Sequence, residues 1–440
     1  MYAFRPSKNI VLAAGLRSPF ARAGGAFQRE NAAHLGAHVA RELLARTALD
    51  PGVIDEVIVG CVGPPHDQAN VGRVMALRAG IPEPTPARTV ARNCASGMEA
   101  VTQAATAIEA GVGEVFLAAG TEVMSAYPLV YGREMTDLFA RLGRAKSPGA
   151  KLAALSAFRP RFLAPRVTLV EGLTDPVCDL IMGRTAEKIA REFGITRDES
   201  DRFALESHRR AKAARDRGRL AKEIVPHMPL EASRTNDGRR LEHDDGIRDG
   251  QTLEALGKLS PYFEKPDGIV TVGNSCGITD GAAALLVTGA ERARALGLEP
   301  LARIRSWAWA GLDPSRMGLG PVYASALALD AAALTLADMG TIEINEAFAA
   351  QVLSCQRAFA SDAFARKHLG RESAIGELDL ARTNRNGGAI ALGHPVGATG
   401  ARLLLSTALT MAEQGDRFGL ATLCIGGGQG GAVVLERGSD

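Results

Sequence analysis

Short apolar runs alternate with helix-period stretches along the first 125 residues. Ile10-Val11-Leu12-Ala13 predicts a strand, Leu35 to Leu44 a helix, Val57-Ile58-Val59 a strand and Arg73 to Ala79 a helix. Arg88-Thr89-Val90-Ala91 is a further β-like run. Met98, Val101, Ala105 and Ile108 then recur at helical spacing until Gly111 offers a C′ stop, ahead of a strand at Val115-Phe116-Leu117-Ala118-Ala119. This alternation predicts an α/β fold, a mixed or parallel sheet covered by helices.

From about Ala126 to Val270 proline, charge and polar turns take over, and only Gly183 to Phe193 and Arg197 to Gly218 read as helices. Apolar patterning returns at Ile269-Val270-Thr271-Val272 and in the run Ala282 to Val287. A second alternating segment follows, with strands expected at Ala302 to Trp307, Thr341 to Ile344, Ala389-Ile390-Ala391 and Leu420 to Leu423. It repeats the first in outline. Val57-Ile58-Val59 aligns with Ile342-Glu343-Ile344, Arg92-Asn93-Cys94 with Arg385-Asn386-Gly387, and Phe116-Leu117-Ala118 with Ala421-Thr422-Leu423. Two such halves let the loops at their strand ends converge on one site.

Composition narrows the class. With 440 residues, 46% of them hydrophobic, the chain can bury large cores. A net charge of +2 argues against nucleic acid as a partner. No run approaches the roughly 18 uncharged apolar residues of a membrane span, and no secretory leader stands at the start. The six cysteines never form C-x-x-C or stand at zinc-site spacing from a histidine, so neither a metal nor a disulfide framework is expected. A reducing compartment, the cytoplasm, follows. The run Arg209, Arg210, Lys212, Arg215, Arg217 and Arg219 reads as a solvated helix face, with phosphate contact as the sharper alternative.

Cys94 stands where a β-like run meets a helix, and there the free amides and positive dipole end favour a thiolate, the attacking form of cysteine. The plainer reading packs Cys94 in a tight turn. Three loops of the second half add chemistry: Asn345-Glu346-Ala347-Phe348, Gly393 to Gly400 and Cys424 to Gly431. His394, between Gly393 and Pro395, offers a proton acceptor near neutral pH. Cys424 precedes three glycines, which suggests access rather than burial. Gly426, Gly428 and Gly431 match G-x-G-x-x-G, but a strand pattern, Ala432 to Glu436, follows where a dinucleotide fingerprint needs a helix. The glycines instead suit a backbone amide facing a substrate oxygen.

These motifs resemble those of the thiolase family. Asn93-Cys94-Ala95-Ser96-Gly97 is similar to its nucleophile loop, Asn345 to Phe348 to its N-E-A-F loop, Gly393 to Gly400 to its G-H-P-x-G-x-[ST]-G loop, and Cys424 to Gly428 to its C-x-G-G-G loop. The resemblance implies the thiolase fold: two similar α/β halves with mixed five-stranded sheets, plus an inserted loop domain. The halves would be 1–125 with 256–290, and 291–440; the loop domain would be 126–255. It implies thiolysis of 3-oxoacyl-CoA by coenzyme A, a co-substrate, with no cofactor. Cys94 would carry the acyl group, His394 would take its proton, and Cys424 would serve the α-carbon and the CoA sulfur. Asn345, through a water, and His394 would bind the thioester oxygen, and the amides of Cys94 and Gly426 the acyl-enzyme oxygen. Met182 and Cys276 would contact CoA.

Tyr131 to Arg166, Leu319 to Ala324 and Asp245 to Arg248 look most like the thiolase subunit of fatty-acid β-oxidation trifunctional complexes. That implies a homodimer or homotetramer with a hydratase/dehydrogenase partner. Asn345 departs from a histidine common in that group, and Cys276 from a serine. A biosynthetic acetyl-CoA acetyltransferase and a non-catalytic acyl-CoA or lipid binder are the alternatives; a decarboxylating synthase would need a second histidine at Asn345 and no Cys424. Within 131–166, Met135, Leu138, Phe139 and Leu142 predict one apolar helical face, and Leu152, Leu155, Phe158 and Phe162 a looser one, amid eight basic and two acidic residues. The expected outcome is burial of both faces on the protein's own body; the alternative is docking on a partner or an anionic membrane.

Overall fold

The computed structural model describes residues 1–230 and 239–438. Its first half runs β1 (Ile10–Arg17), α1 (Ala32–Thr47), β2 (Glu56–Gly60), α2 (Val71–Arg78), β3 (Ala87–Val90), α3 (Ser96–Ala110) and β4 (Val115–Val123). An insertion carries β5 (Leu129–Tyr131), α4 (Arg133–Arg144), α5 (Pro148–Leu155), β6 (Pro165–Val167), α6 (Met182–Glu192) and α7 (Arg197–Asp216), and β7 (Thr279–Gly289) then completes the first sheet. The second half repeats the plan with β8 (Ala302–Gly311), α8 (Gly320–Ala332), β9 (Thr341–Ile344), α9 (Ala349–Phe359), α10 (Val396–Gln414), β10 (Phe418–Ile425) and β11 (Gln429–Glu436).

The strand order is β9-β10-β11-β8-β1-β7-β4-β2-β3, with parallel pairs β2·β3, β2·β4 and β9·β10 and antiparallel pairs elsewhere along it. Two features depart from a pair of five-stranded sheets. The halves are joined edge to edge, because Ala302 and Arg303 of β8 pair with Leu12 and Val11 of β1. The second half also has four full strands, its fifth place reduced to a bridge between Ile342 and Thr383. There Asn384, at φ +47°, turns the chain away, and its side-chain amide takes over the ladder, bonding both the N–H and the C=O of Ile344 at 2.9 Å.

The strands are buried on both faces, which is why they read as continuous apolar runs. Val57, Val59, Leu117 and Leu286 face α1 and α2, whereas Ile58, Phe116, Leu285 and Val287 face α3 and α10. In the second half Ile342, Leu420 and Val434 face α8 and α9, and Leu423, Ile425 and Leu435 face the same central pair. The result is five layers, with α3 and α10 sandwiched between the two half-sheets. Their close packing needs glycine: a Cβ on Gly97 would meet Ala401 N and Gly397 O at 2.8 Å, and one on Gly400 would meet Met98 N at 2.3 Å.

One expected strand is not a strand, and one apolar run forms none. Ala389 to Leu392 is a short helix, since a buried four-residue apolar run carries no period to decide its state. Ile269 and Val270 donate their amides to the Glu187 carboxylate, at 3.0 and 2.8 Å, instead of to a ladder. The structure also re-registers the repeat: α3 and α10 are counterparts, so Cys94 corresponds to His394, each two residues before its helix, rather than to Gly387.

The insertion is tied to the first half by Arg17, fully buried, whose guanidinium meets Glu223 at 2.7 Å and Asp244 at 2.6 Å. Five of the six residues of the basic run, all but Arg209, form ion pairs among the described residues. Arg210 pairs with Glu206, Lys212 and Arg215 with Asp216, Arg217 with Glu413, and Arg219 with Glu223 and Glu413. The expected burial of both faces of 131–166 is only partial: Met135 and Leu138 are buried and Leu142, Phe158 and Phe162 half-buried, while Phe139 of the first face and Leu152 and Leu155 of the second are 52, 71 and 50% exposed. Among the described residues no helix is long and apolar enough to cross a membrane.

Candidate active site

Cys94 lies in the turn that feeds α3. Asn93 takes φ +44°, and the turn closes with Ala95 N–H donating to Arg92 O at 2.9 Å and Ser96 N–H to Asn93 O at 3.0 Å. The Asn93 amide donates to Gly426 O at 2.8 Å, which docks the Cys424 loop of the second half onto the nucleophile turn of the first. The Gly426 amide in turn hydrogen-bonds the Cys94 sulfur.

The thiolate expected from helix position is not the resting form. Burial pushes the Cys94 thiol up and Glu122 adds to it, while the Gly426 amide and the cysteine's own amide pull the other way. Cys94 therefore rests as a thiol and needs a base. His394 is buried, 6% exposed, and burial, aided by Arg402, brings its pKa down to about 3, so the ring is neutral. Its tautomer follows from its neighbour. The Thr399 hydroxyl donates to Pro395 O at 3.0 Å, so at 2.6 Å from His394 Nδ1 it must accept from that nitrogen. Nε2 keeps its lone pair, and it faces Asn345 Nδ2 at 3.5 Å.

Asn345 follows β9, and its N–H donates to Thr422 O at 3.0 Å, two residues before Cys424. Its Oδ1 is buried with no partner, an acceptor waiting for a donor. Cys424, at the end of β10, is 1% exposed; burial first, then the sulfurs of Cys94, Cys355 and Cys276, push its thiol well up. The expectation of an accessible Cys424 thus gives way. Its glycines serve the backbone: Gly427 and Gly428 take φ of +89° and +76°, and a Cβ on Gly428 would lie 2.3 Å from Leu312 O. Cys276 donates its amide to Ala347 O at 3.0 Å, and burial, with Cys94 next, pushes its thiol up to about 12. Met182 opens α6 with its sulfur over Gly426, 3.4 Å from where a Cβ would stand.

Asn93, Cys94, Met182, Val396, Gly426 and Gly427 line one cavity of about 260 Å³, and Leu169, Leu173, Pro176 and Val177 of the insertion close it. Sequence reasoning missed Glu122. Buried at the end of β4, it accepts from the amides of Val62 and Gly63 at 2.9 Å and Gly397 at 3.0 Å, and from the Tyr127 hydroxyl at 3.0 Å. It thereby clamps the start of α10 to the loop that follows β2. Its one sequence signal is a carboxylate closing an otherwise apolar strand.

Duplicated α/β halves that bring Cys94 and Gly426 to one cavity, with the neutral His394 imidazole buried two residues before Val396 of its lining, fit an acyltransferase. Comparison with known proteins gives the same class. The thiolase N-terminal domain model matches residues 10–291 and the thiolase C-terminal domain model residues 298–437. A 3-ketoacyl-CoA thiolase of Pectobacterium carotovorum is 40% identical over 435 residues, covering 98% of this chain and 97% of that protein. The 3-ketoacyl-CoA thiolase of Yersinia pestis is 39% identical, with 98% of each chain covered. Human mitochondrial 3-ketoacyl-CoA thiolase in complex with CoA superposes with a TM-score of 0.83 at 34% identity, covering 98% of each chain. Acetyl-CoA acetyltransferase of Bacillus anthracis superposes with a TM-score of 0.84 at 35% identity, covering 98% of this chain and all of that one. The chain belongs to the thiolase family.

Proposed function

We propose that the protein cleaves 3-oxoacyl-CoA with coenzyme A, releasing acetyl-CoA and a shortened acyl-CoA, as in fatty-acid β-oxidation. The observation that carries this reading is that Asn93, beside Cys94, bonds Gly426 across the two halves, while Asn345, tied to Thr422 of the strand that carries Cys424, faces His394. His394 Nε2 takes the Cys94 proton, and the sulfur attacks C3 of the substrate. The amides of Cys94 and Gly426 hold the oxygen as it becomes an alkoxide. Its collapse breaks the C2–C3 bond and leaves an acyl group on Cys94. The departing electron pair forms the acetyl-CoA enolate, whose oxygen is held by His394 and by a water on Asn345. Cys424 delivers the proton to C2. In the second half-reaction the Cys424 thiolate takes the proton of CoA, the CoA sulfur attacks the thioester, and Cys94 leaves and recovers its proton from His394. Covalent catalysis thus turns one carbon–carbon cleavage into two acyl transfers.

Met182 and Cys276 lie beside the pantetheine arm of CoA in this reading, and no further cofactor takes part. The ultraviolet absorbance of acetoacetyl-CoA should fall on addition of CoA, and a long-chain 3-oxoacyl-CoA should show whether the cavity under Leu169 and Leu173 admits it. No loss with either substrate would leave a binding protein.

We further infer a homodimer or homotetramer acting in the cytoplasm, where six free thiols stay reduced. The exposed Phe139, Leu152 and Leu155, set among the basic residues of α4 and α5, dock a hydratase/dehydrogenase subunit or an anionic membrane. Reversing Arg141, Arg144 and Lys146 should abolish co-sedimentation with anionic vesicles or capture of such a subunit at low salt, and raised salt should do the same to the parent protein.

A further inference from the structure

Far from Cys94 in the chain, three side chains that the mechanism does not use meet at the start of α1. Glu30 Oε1 lies 2.9 Å from His227 Nε2, Glu30 Oε2 lies 3.2 Å from His34 Nδ1, and the three residues each place a donor atom within 4.8 Å of the others. Glu30 and His227 are 4 and 2% exposed, and His34 is half-buried. The site is built from two directions. His34 stands on the first turn of α1, while His227 is held by a backbone pair with Leu241, at 2.9 and 2.8 Å, across a stretch of the returning insertion. The Leu230 N–H donates to Glu30 Oε1 at 2.7 Å, and His38, one turn on, stacks edge-on to His227 at 4.6 Å while its Nε2 bonds Pro226 O.

Glu30 meets His227 and the Leu230 N–H through Oε1 and His34 through Oε2, so one buried carboxylate stands between two imidazoles. Metal–ligand bonds of about 2.0–2.2 Å in a tetrahedral site separate neighbouring donors by roughly 3.3 Å; each imidazole already lies 2.9 or 3.2 Å from an oxygen of Glu30, and all three donors lie within 4.8 Å of one another. Small movements of His34 and Glu30 would therefore admit the ion between them.

We propose that Glu30, His34 and His227 bind one Zn²⁺ or similar divalent transition ion, with water in the fourth position, as a structural staple between α1 and the returning end of the insertion. Nitrogen and carboxylate donors of this number favour zinc over calcium or magnesium, which take more oxygens. On binding, the N–H protons that point at Glu30 leave the ligating nitrogens for the other ring nitrogen or for solvent. Cysteine spacing could not reveal the site, because its histidine partners come together from positions 34 and 227.

The test uses the whole protein, stripped with a chelator and titrated with Zn²⁺ by calorimetry and with Co²⁺ by absorption. The expected result is one equivalent of Zn²⁺ per chain and a Co²⁺ spectrum of weak visible bands, without the strong near-ultraviolet charge transfer that sulfur ligands give. Saturating Zn²⁺ should raise the melting midpoint by about 3 °C. His34→Gln and His227→Gln should each weaken binding at least about tenfold and remove the melting shift while leaving thiolysis of acetoacetyl-CoA intact. If His227→Gln fails to fold, His34→Gln, at a half-exposed helix position, decides. Absence of stoichiometric binding, a thiolate-type Co²⁺ spectrum, or unchanged affinity in His34→Gln would each overturn the proposal.

Discussion

In the proposed reaction Cys94 rests as a thiol and His394 uncharged, and the proton moves only when an acceptor carbon is in place, which guards a reactive sulfur between turnovers. The signs predict the pH profile. The Cys94 thiol is held above its ordinary 9.0 and His394 is brought down to about 3, so thiol and neutral base coexist across the neutral range, and moving a proton between them leaves the total protonation unchanged. Acylation by acetyl-CoA, followed by mass spectrometry, should therefore be flat between about pH 6 and about 8, with no step near 6.5, the ordinary imidazole value. A step there would mean that His394 is solvated in the working enzyme. The three reactive residues should also fail differently. Cys94→Ala should give no adduct and lose activity by about a thousandfold or more; His394→Ala should acylate slowly; Cys424→Ala should acylate yet stall before turnover. Normal turnover by Cys424→Ala would remove the second acid/base group from the scheme.

At the scale of elements, the meeting of α3 and α10 at Gly97 and Gly400 sets how close Cys94 and His394 can come. Gly97→Ala must push a methyl group against the α10 backbone, and overpacking of this kind costs about 1–3 kcal/mol. Its urea midpoint should fall accordingly, with acylation slowed by more than the stability loss explains; an unchanged acylation rate would show that α10 adjusts without moving His394. Elements whose burial is continuous were legible in the chain: β2, β4 and β10 as apolar runs, α3 by its period and by Gly111, which takes φ +75°. Elements shaped by side chains reaching in from elsewhere were not. Asn384 replaces a strand, Glu187 satisfies Ile269 and Val270, and a four-residue run at Ala389 has no period to read. The motif residues were legible as types, but their states were not. Burial reversed the expectations for Cys94 and Cys424, and Glu122 gains meaning only when Val62 and Gly397, 335 positions apart, both donate to it.

At the scale of the whole molecule, the buried cluster of Arg17, Glu223, Asp244 and Arg219 fastens the insertion to the first half. Removing one partner of a buried ion pair strands the other charge, so Arg17→Met should lower stability by about 3–5 kcal/mol and open the insertion to limited proteolysis. Glu223 gives the same anchor a pH dependence. Although burial acts to raise it, Arg17 and Arg219 bring its pKa from 4.5 to about 2. A depressed folded-state value contributes stability above the unfolded value, and that contribution is lost as pH falls from about 4.5 through about 2. Urea midpoints should decline across that window in the parent protein and decline less in Glu223→Gln; equal slopes would place the acid lability elsewhere. The cavity divides its labour along this same boundary. In the proposed reaction the reacting atoms belong to the two halves, whereas Leu169, Leu173, Pro176 and Val177, placed to meet the substrate's tail, belong to the insertion. Evolution, or a library confined to those four positions, can therefore explore new acyl chains while the bond-breaking apparatus is inherited unaltered.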